Sequence, residues 1–223
     1  MSKLEKNILK FLDLMTNVTV RITSFDEEGH LIGRCSGFLY KKTLDSIPIV
    51  ITAGHKLPQK GSFIETKIVK DGKILQINAG EFKVFYNNDD IDYAYSELPI
   101  AIYQEEMEQY EGVSFAVYNH EFIAAEQEEA YGFSVVNDYL EFVERNDITT
   151  LPSYSCYELG LELVKQEEHV NYFKPQIFQG DEFYRGASGS PIADPEGIIT
   201  SILIGGTEDG LLCAFRLDNI KLE

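Results

Sequence analysis

Apolar side chains at Leu4, Ile8, Phe11, Leu12 and Met15 recur every three or four residues, and that spacing predicts an amphipathic helix over 4–15. Its opposite face is mixed in charge, so the apolar stripe is expected to pack on the body of the protein rather than on a membrane. From Val18 the texture changes to short β-like runs. Strands are predicted at 18–22, 31–40, 47–52, 64–69, 74–77 and 82–86. Asp71-Gly72 between two such runs is a tight hairpin signal. Asp92 opens a further run in which Tyr93 and Tyr95 alternate with Ala94, as strand core and rim residues do. The polar stretch 104–111, rich in glutamate, reads as a solvated connector. Beyond it the β texture returns at 113–118, 130–136, 140–144, 156–164, around Ile192, and at 198–204 and 211–217. No repeat of 20 to 50 residues underlies this pattern, so two β halves of the sandwich or barrel kind are expected.

Composition narrows the function classes. The chain has 223 residues, 44% hydrophobic and 25% charged, which is globular and enough for one large or two small cores. A formal net charge of −18 repels phosphate backbones and anionic lipid, so neither nucleic acid nor a membrane is an expected partner. The cysteines at 35, 156 and 213 are odd in number and widely spaced, without a CxxC or Cys/His ligand pattern. They read as buried thiols in a reducing compartment, with no metal site. Lys10 and Asp13 interrupt the N-terminal apolar run, which is therefore no signal peptide, and no stretch is long enough to span a bilayer. A soluble, cytoplasmic protein is expected.

The sharpest chemical signal is Gly186-Ala187-Ser188-Gly189-Ser190-Pro191. Small residues around a serine permit a tight turn that exposes the hydroxyl and aims the N–H groups of Gly186 and Ser188 at one point, as an oxyanion hole requires. Alone, such a turn is an ordinary loop. Ile49-Val50-Ile51-Thr52-Ala53-Gly54-His55 is a buried strand ending on a histidine, and Asp92 heads another apolar run; each alone is more often structural. The set and its order carry the signal. Asp89 and Asp90 compete with Asp92 for the acidic role, and Asp92 is preferred because Ala94 completes its frame.

With these motifs the chain resembles the trypsin-like (chymotrypsin-fold) serine proteases. Thr52-Ala53-Gly54-His55 is similar to the family's Thr-Ala-Ala-His, Asp92-Tyr93-Ala94 to its Asp-apolar-Ala, and 186–191 to its Gly-x-Ser-Gly-Gly-Pro. Ser36-Gly37-Phe38-Leu39 resembles the strand upstream of the histidine in bacterial members. The resemblance spans roughly 17–219 and implies an all-β fold of two six-stranded antiparallel barrels, here with an added N-terminal helix. The implied division is a helix over 1–16, a first barrel over 17–100 carrying His55 and Asp92, a connector over 101–112, and a second barrel over 113–223 carrying Ser188. It also implies Ser188 as nucleophile, His55 as general base, Asp92 as its orienting carboxylate, and the Gly186 and Ser188 N–H groups as the oxyanion hole. No cofactor is called for.

Departures from the family shape the expected function. Lys56 stands where secreted members carry a disulfide cysteine, leaving Cys35 without a mate. Ala187 stands where zymogens carry the aspartate that pairs with a new N-terminus, so activation by cleavage is not expected. Members continue into a C-terminal helix, and the stop at Glu223 suggests a module of a longer protein. The expected activity is endopeptidase cleavage of a protein or peptide substrate. The expected switch is a partner or fused sensor domain, in the manner of bacterial defence or stress-signalling proteases. Glu182, six residues before the serine, lies at the base of the family's primary pocket and would favour Lys or Arg before the scissile bond. Asp181 beside it, Arg185 within pairing distance and bulky Phe183 and Tyr184 leave a solvated acidic loop as the other reading. Thr200, Ser201 and Ile202 lie where the family adds the substrate as a strand. Two other readings remain: a silent pseudoprotease that binds a peptide strand, and an unrelated β module carrying the motifs by chance.

Overall fold

The computed structural model describes residues 3–26, 28–43, 45–57, 62–70, 73–78, 80–87, 90–98, 117–127, 130–136, 155–180 and 184–222. Helix α1 (Lys3–Val18) runs without a break into strand β1 (Thr19–Phe25). Its buried stripe is Phe11, Met15 and Val18, as the apolar spacing demands. β2 (Leu31–Tyr40), β3 (Ile49–Thr52), β4 (Ser62–Lys70), β5 (Lys73–Asn78), β6 (Lys83–Tyr86) and β7 (Asp92–Glu97) complete one antiparallel sheet, ordered β5-β4-β1-β2-β3-β7-β6. The β4–β5 hairpin forms with Lys70 opposite Lys73, while the Asp71-Gly72 turn itself lies outside the described residues. The two ends of this order, β5 and β6, are consecutive in the chain. Between them Gly80 adopts φ +72°, a bend that packs it against Ser96 and Glu97 of β7. Seven strands therefore stand here where six were expected, with β5 and β6 at the two ends of the sheet.

β8 (Ala130–Val136), β9 (Ser155–Gln166), β10 (Val170–Lys174), β11 (Pro191–Ala193), β12 (Ile199–Gly206) and β13 (Leu212–Arg216) close a six-stranded antiparallel barrel, ordered β10-β13-β12-β11-β8-β9. The protein therefore has the double-barrel, chymotrypsin-like architecture. The expected strand at 140–144, the acidic run 104–111 and the connector at 101–112 lie outside the described residues, as does 113–116.

Three apolar clusters hold the molecule. Val20, Ile22, Cys35, Leu39 and Val50 fill the first barrel, and Tyr131, Phe133, Leu161, Phe173, Ile192 and Leu203 fill the second. Between them Phe38, Tyr40, Ile51, Tyr93, Tyr95, Tyr118, Ile202 and Phe215 form a shared seam. Strand alternation explains this division: on β2, Leu39 faces its own barrel while Phe38 and Tyr40 face the seam, and on β3, Val50 and Ile51 divide likewise. Strands buried on both faces read as continuous apolar runs, which is the texture of Ile49-Val50-Ile51. Both tyrosines of β7 lie in the seam rather than on a rim. α1 braces the same seam. Ser134 Oγ of β8 donates to Met15 O (3.0 Å), Thr16 Oγ1 bonds Tyr157 Oη, and Leu14 packs on Gly197.

Candidate active site

His55 sits one turn beyond β3, in a short helical turn that follows Ala53. Gly54 is there for space: a Cβ at this position would stand 2.9 Å from Tyr93 O and 3.3 Å from Asp92 Oδ1, so the histidine turn can press against the start of β7 only with glycine. Asp92 opens β7, and both its carboxylate oxygens engage His55. Oδ1 accepts the backbone N–H (2.9 Å) and Oδ2 stands 2.5 Å from Nδ1. An acid partner at Nδ1 fixes the proton on that nitrogen and leaves Nε2 as the base. The Asp92 and His55 side chains retain only 9% and 20% of their exposure, so the pair is shielded with one edge of the ring open. Half-exposed Tyr86 flanks that ring, with centroids 6.3 Å apart. Asp90 turns away toward His169 Nε2, at 3.8 Å, and Asp89 lies outside the described residues. Asp92 is thus the carboxylate that meets His55.

The serine loop reaches this pair from the second barrel. Gly186 and Gly189 both have positive φ (+82° and +85°), as a loop this tight requires. The loop's hydrogen bonds are selective. Ala187 N–H donates to Tyr184 O, Ser190 N–H to Ala187 O and Gly189 N–H to Leu203 O (3.0, 2.8 and 2.6 Å). Among the described residues, the N–H groups of Gly186 and Ser188 donate to nothing, so the two donors left open are those an oxyanion hole uses. Ser188 is half-buried, and its carbonyl accepts from Ser36 N–H at 2.8 Å. Gly189 seats the loop against the segment leading to His55, where a Cβ would overlap Ser36 O and Thr52 Oγ1 and stand 3.0 Å from Ala53 N. Among the described residues, Ser188 Oγ and His55 share no hydrogen bond. Upstream, Tyr184 Oη donates to Glu158 Oε2 (3.4 Å), and burial holds the Glu158 carboxyl above its ordinary value. Gly189→Ala combines a forbidden φ with overlap on backbone. It is expected to cost about 2–5 kcal/mol of stability, read as a shift in urea unfolding midpoint; an unchanged midpoint would mean the loop does not seat here.

The expected specificity residues fare differently. Glu182 and Asp181 lie outside the described residues. Thr200, Ser201 and Ile202 are buried, and Ser201 and Ile202 are paired to β11 on one side (Ile192, Pro191) and β13 on the other (Arg216, Phe215). Their backbone cannot take an added strand. A bulge places Ile192 opposite Ser201 but Ala193 opposite Ile199. The β11 side of β12 is engaged through Leu203, whereas exposed Gly205 and Gly206 pair only with Cys213 and Leu212 of β13 among the described residues. That exposed edge, not 200–202, is available to an extended peptide.

Other groups are accounted for without chemistry. Cys35 and Cys213 are free thiols, and burial pushes the Cys35 thiol up to about 11, leaving it neutral and unreactive. Ala187 is fully buried, with no carboxylate at that position. His30 and His120 are exposed, and His169 is half-buried in the β9–β10 turn. Among the described residues the acidic trio Asp26, Glu28 and His30 is exposed and lies apart from this site. No helix of the described residues is long and apolar enough to cross a membrane.

No protein-family model matches the sequence, and none of the curated proteins matches it. Solved structures do match in shape. A Glu endopeptidase in complex with MPD aligns at TM-score 0.59 and 14% identity, over 92% of this chain and 86% of its own. The tobacco etch virus protease aligns at TM-score 0.56 and 13% identity, over 92% and 74%. The Rv3671c protease, inactive form, aligns at TM-score 0.52 and 12% identity, over 93% and 87%. At these identities the likeness is one of fold.

Proposed function

We propose that this chain is a serine endopeptidase acting through an acyl-enzyme. The observation that carries the reading is a carboxylate-bound histidine whose leading strand seats a serine loop from the other barrel, and among the described residues the Gly186 and Ser188 N–H groups of that loop are open. Fold neighbours that are themselves proteases agree with it.

A substrate strand lies along the exposed edge at Gly205–Gly206, which aligns its carbonyl carbon with Ser188. Ser188 Oγ attacks that carbon while its proton passes to His55 Nε2. The carbonyl electron pair moves onto oxygen, where the Gly186 and Ser188 N–H groups stabilise it; one such donor is typically worth about 2.7–4 kcal/mol in the transition state. Collapse expels the amine, which takes the proton from His55. Water then repeats the sequence on the ester, with His55 again as base, and frees the acid. Asp92 holds the imidazole orientation and stabilises the imidazolium throughout. Ser188 Oγ and His55 Nε2 come within hydrogen-bond reach as the substrate binds, since catalytic hydrogen bonds commonly form or tighten only then. The switch we propose is a partner or fused sensor, because buried Ala187 offers no carboxylate to a newly cut N-terminus. The free thiols support a reducing, cytoplasmic setting.

The test is a fluorophosphonate probe followed by intact mass and peptide mapping. One adduct per chain, mapping to Ser188, is the expected result. A folded chain that takes no adduct would instead favour a peptide-binding pseudoprotease.

A further inference from the structure

We infer that Ser36 is a positioning residue for the oxyanion loop, acting from the opposite barrel through its hydroxyl. This rests on the protease reading for its consequence, though not for its geometry. Ser36 lies on β2, 1% exposed, and bonds the serine loop twice: Oγ donates to Gly186 O at 2.9 Å and its N–H donates to Ser188 O at 2.8 Å. Its own carbonyl is held by Thr52 Oγ1 at 2.6 Å, on the strand that leads to His55.

The arrangement acts on peptide planes. The Gly186–Ala187 plane is anchored at both ends, its oxygen by Ser36 Oγ and its N–H by Tyr184 O. The Ser188–Gly189 plane is likewise anchored, its oxygen by Ser36 N–H and its N–H by Leu203 O. The plane between them carries the open Ser188 N–H and cannot rotate independently. The open Gly186 N–H lies on the plane before. Gly186 has no Cβ to restrain it and sits at φ +82°, with nothing within 4 Å of where a side chain would begin. The bond from Ser36 Oγ, together with the turn to Tyr184, restrains that glycine from swinging its N–H away. Preorganised donors help only if they are already aimed when charge develops. The hydroxyl therefore makes the hole conditional on docking of the two barrels: anything that separates β2 from the loop disarms it.

Ser36→Ala keeps the backbone bond to Ser188 O and removes the hydroxyl alone; Ser36→Thr keeps the hydroxyl. Two readouts are compared for each, with melting temperature as a control. The first is amide exchange over 184–190, which needs no activity. The second is the second-order rate of Ser188 phosphonylation by a fluorophosphonate. Ser36→Ala is expected to speed exchange at the Ala187 amide about tenfold and to slow phosphonylation about 10- to 100-fold, below the loss for deleting a donor outright. Melting should move by a few degrees at most, as for one hydrogen bond. Ser36→Thr should restore both. The inference is overturned if Ser36→Ala exchanges and labels like wild type, or if Ser36→Thr fails to restore either readout. If the wild type takes no label yet Ser36→Ala loosens the Ala187 amide and Ser36→Thr tightens it, the positioning role stands and the protease reading falls.

Discussion

Ser188→Ala is expected to abolish peptide hydrolysis, by roughly 10⁶-fold in turnover, while leaving the protein as stable as before. The two halves of that expectation come from the same geometry. Residue 188 is tied into the structure through its carbonyl, which accepts from Ser36 N–H, and alanine keeps that bond. Its hydroxyl holds nothing in place, so removing it deletes the nucleophile and no structural contact. Turnover of a fluorogenic unfolded protein, measured beside urea unfolding of both chains, separates the two effects. Residual activity above about a hundredth of wild type would place the nucleophile elsewhere. A lowered unfolding midpoint would show that the hydroxyl has a structural role that this arrangement lacks.

Asp92→Asn is expected to lower turnover by about 10⁴-fold with little change in substrate affinity. The carboxylate accepts twice from His55, at the backbone N–H and at Nδ1. Asparagine offers a single acceptor oxygen, and its other terminal atom is a donor. If its oxygen keeps the backbone N–H, its amide N–H₂ faces Nδ1 and drives the ring proton to Nε2. The nitrogen turned toward the serine would then be a donor and could not take the hydroxyl proton. Raising the pH does not cure a wrong tautomer, so the loss should persist across the alkaline range. Nitrogen NMR of the His55 ring reads the tautomer directly. A variant that keeps Nδ1 protonated and retains full turnover would remove Asp92 from the mechanism.

Short frames made much of this site readable from sequence, because His55 with its glycine and Asp92 with its alanine each sit within a few residues of the feature that marks them. The same holds for the serine loop, where two positive-φ positions fell on glycines. What escaped depended on distant partners. The Ser36 hydroxyl meets a carbonyl 150 positions away, and nothing local distinguishes it from any strand serine. The substrate edge was placed at Thr200–Ile202 on the family resemblance, whereas Ser201 and Ile202 are paired with both β11 and β13, an occupancy only the closed barrel reveals. β10 was missed because Asn171 interrupts its apolar pattern. That asparagine is fully buried and satisfied by Ser201 Oγ (2.9 Å) and Gln166 (3.0 Å), a pairing that only the closed barrel supplies.

The brace formed by α1 sets an order of events during synthesis. The helix is made well before Ser134, Tyr157 and Gly197, against which it docks. Its stripe of Phe11, Met15 and Val18 therefore waits uncovered while the first barrel forms. Ser36 waits as well, since both carbonyls it holds belong to the last fifth of the chain. On the proposed reading, a nascent chain that already carries His55 and Asp92 has neither Ser188 nor the Gly186 and Ser188 N–H groups until its last fifth is made, so assembly of the site waits on the same late strands that bury the helix.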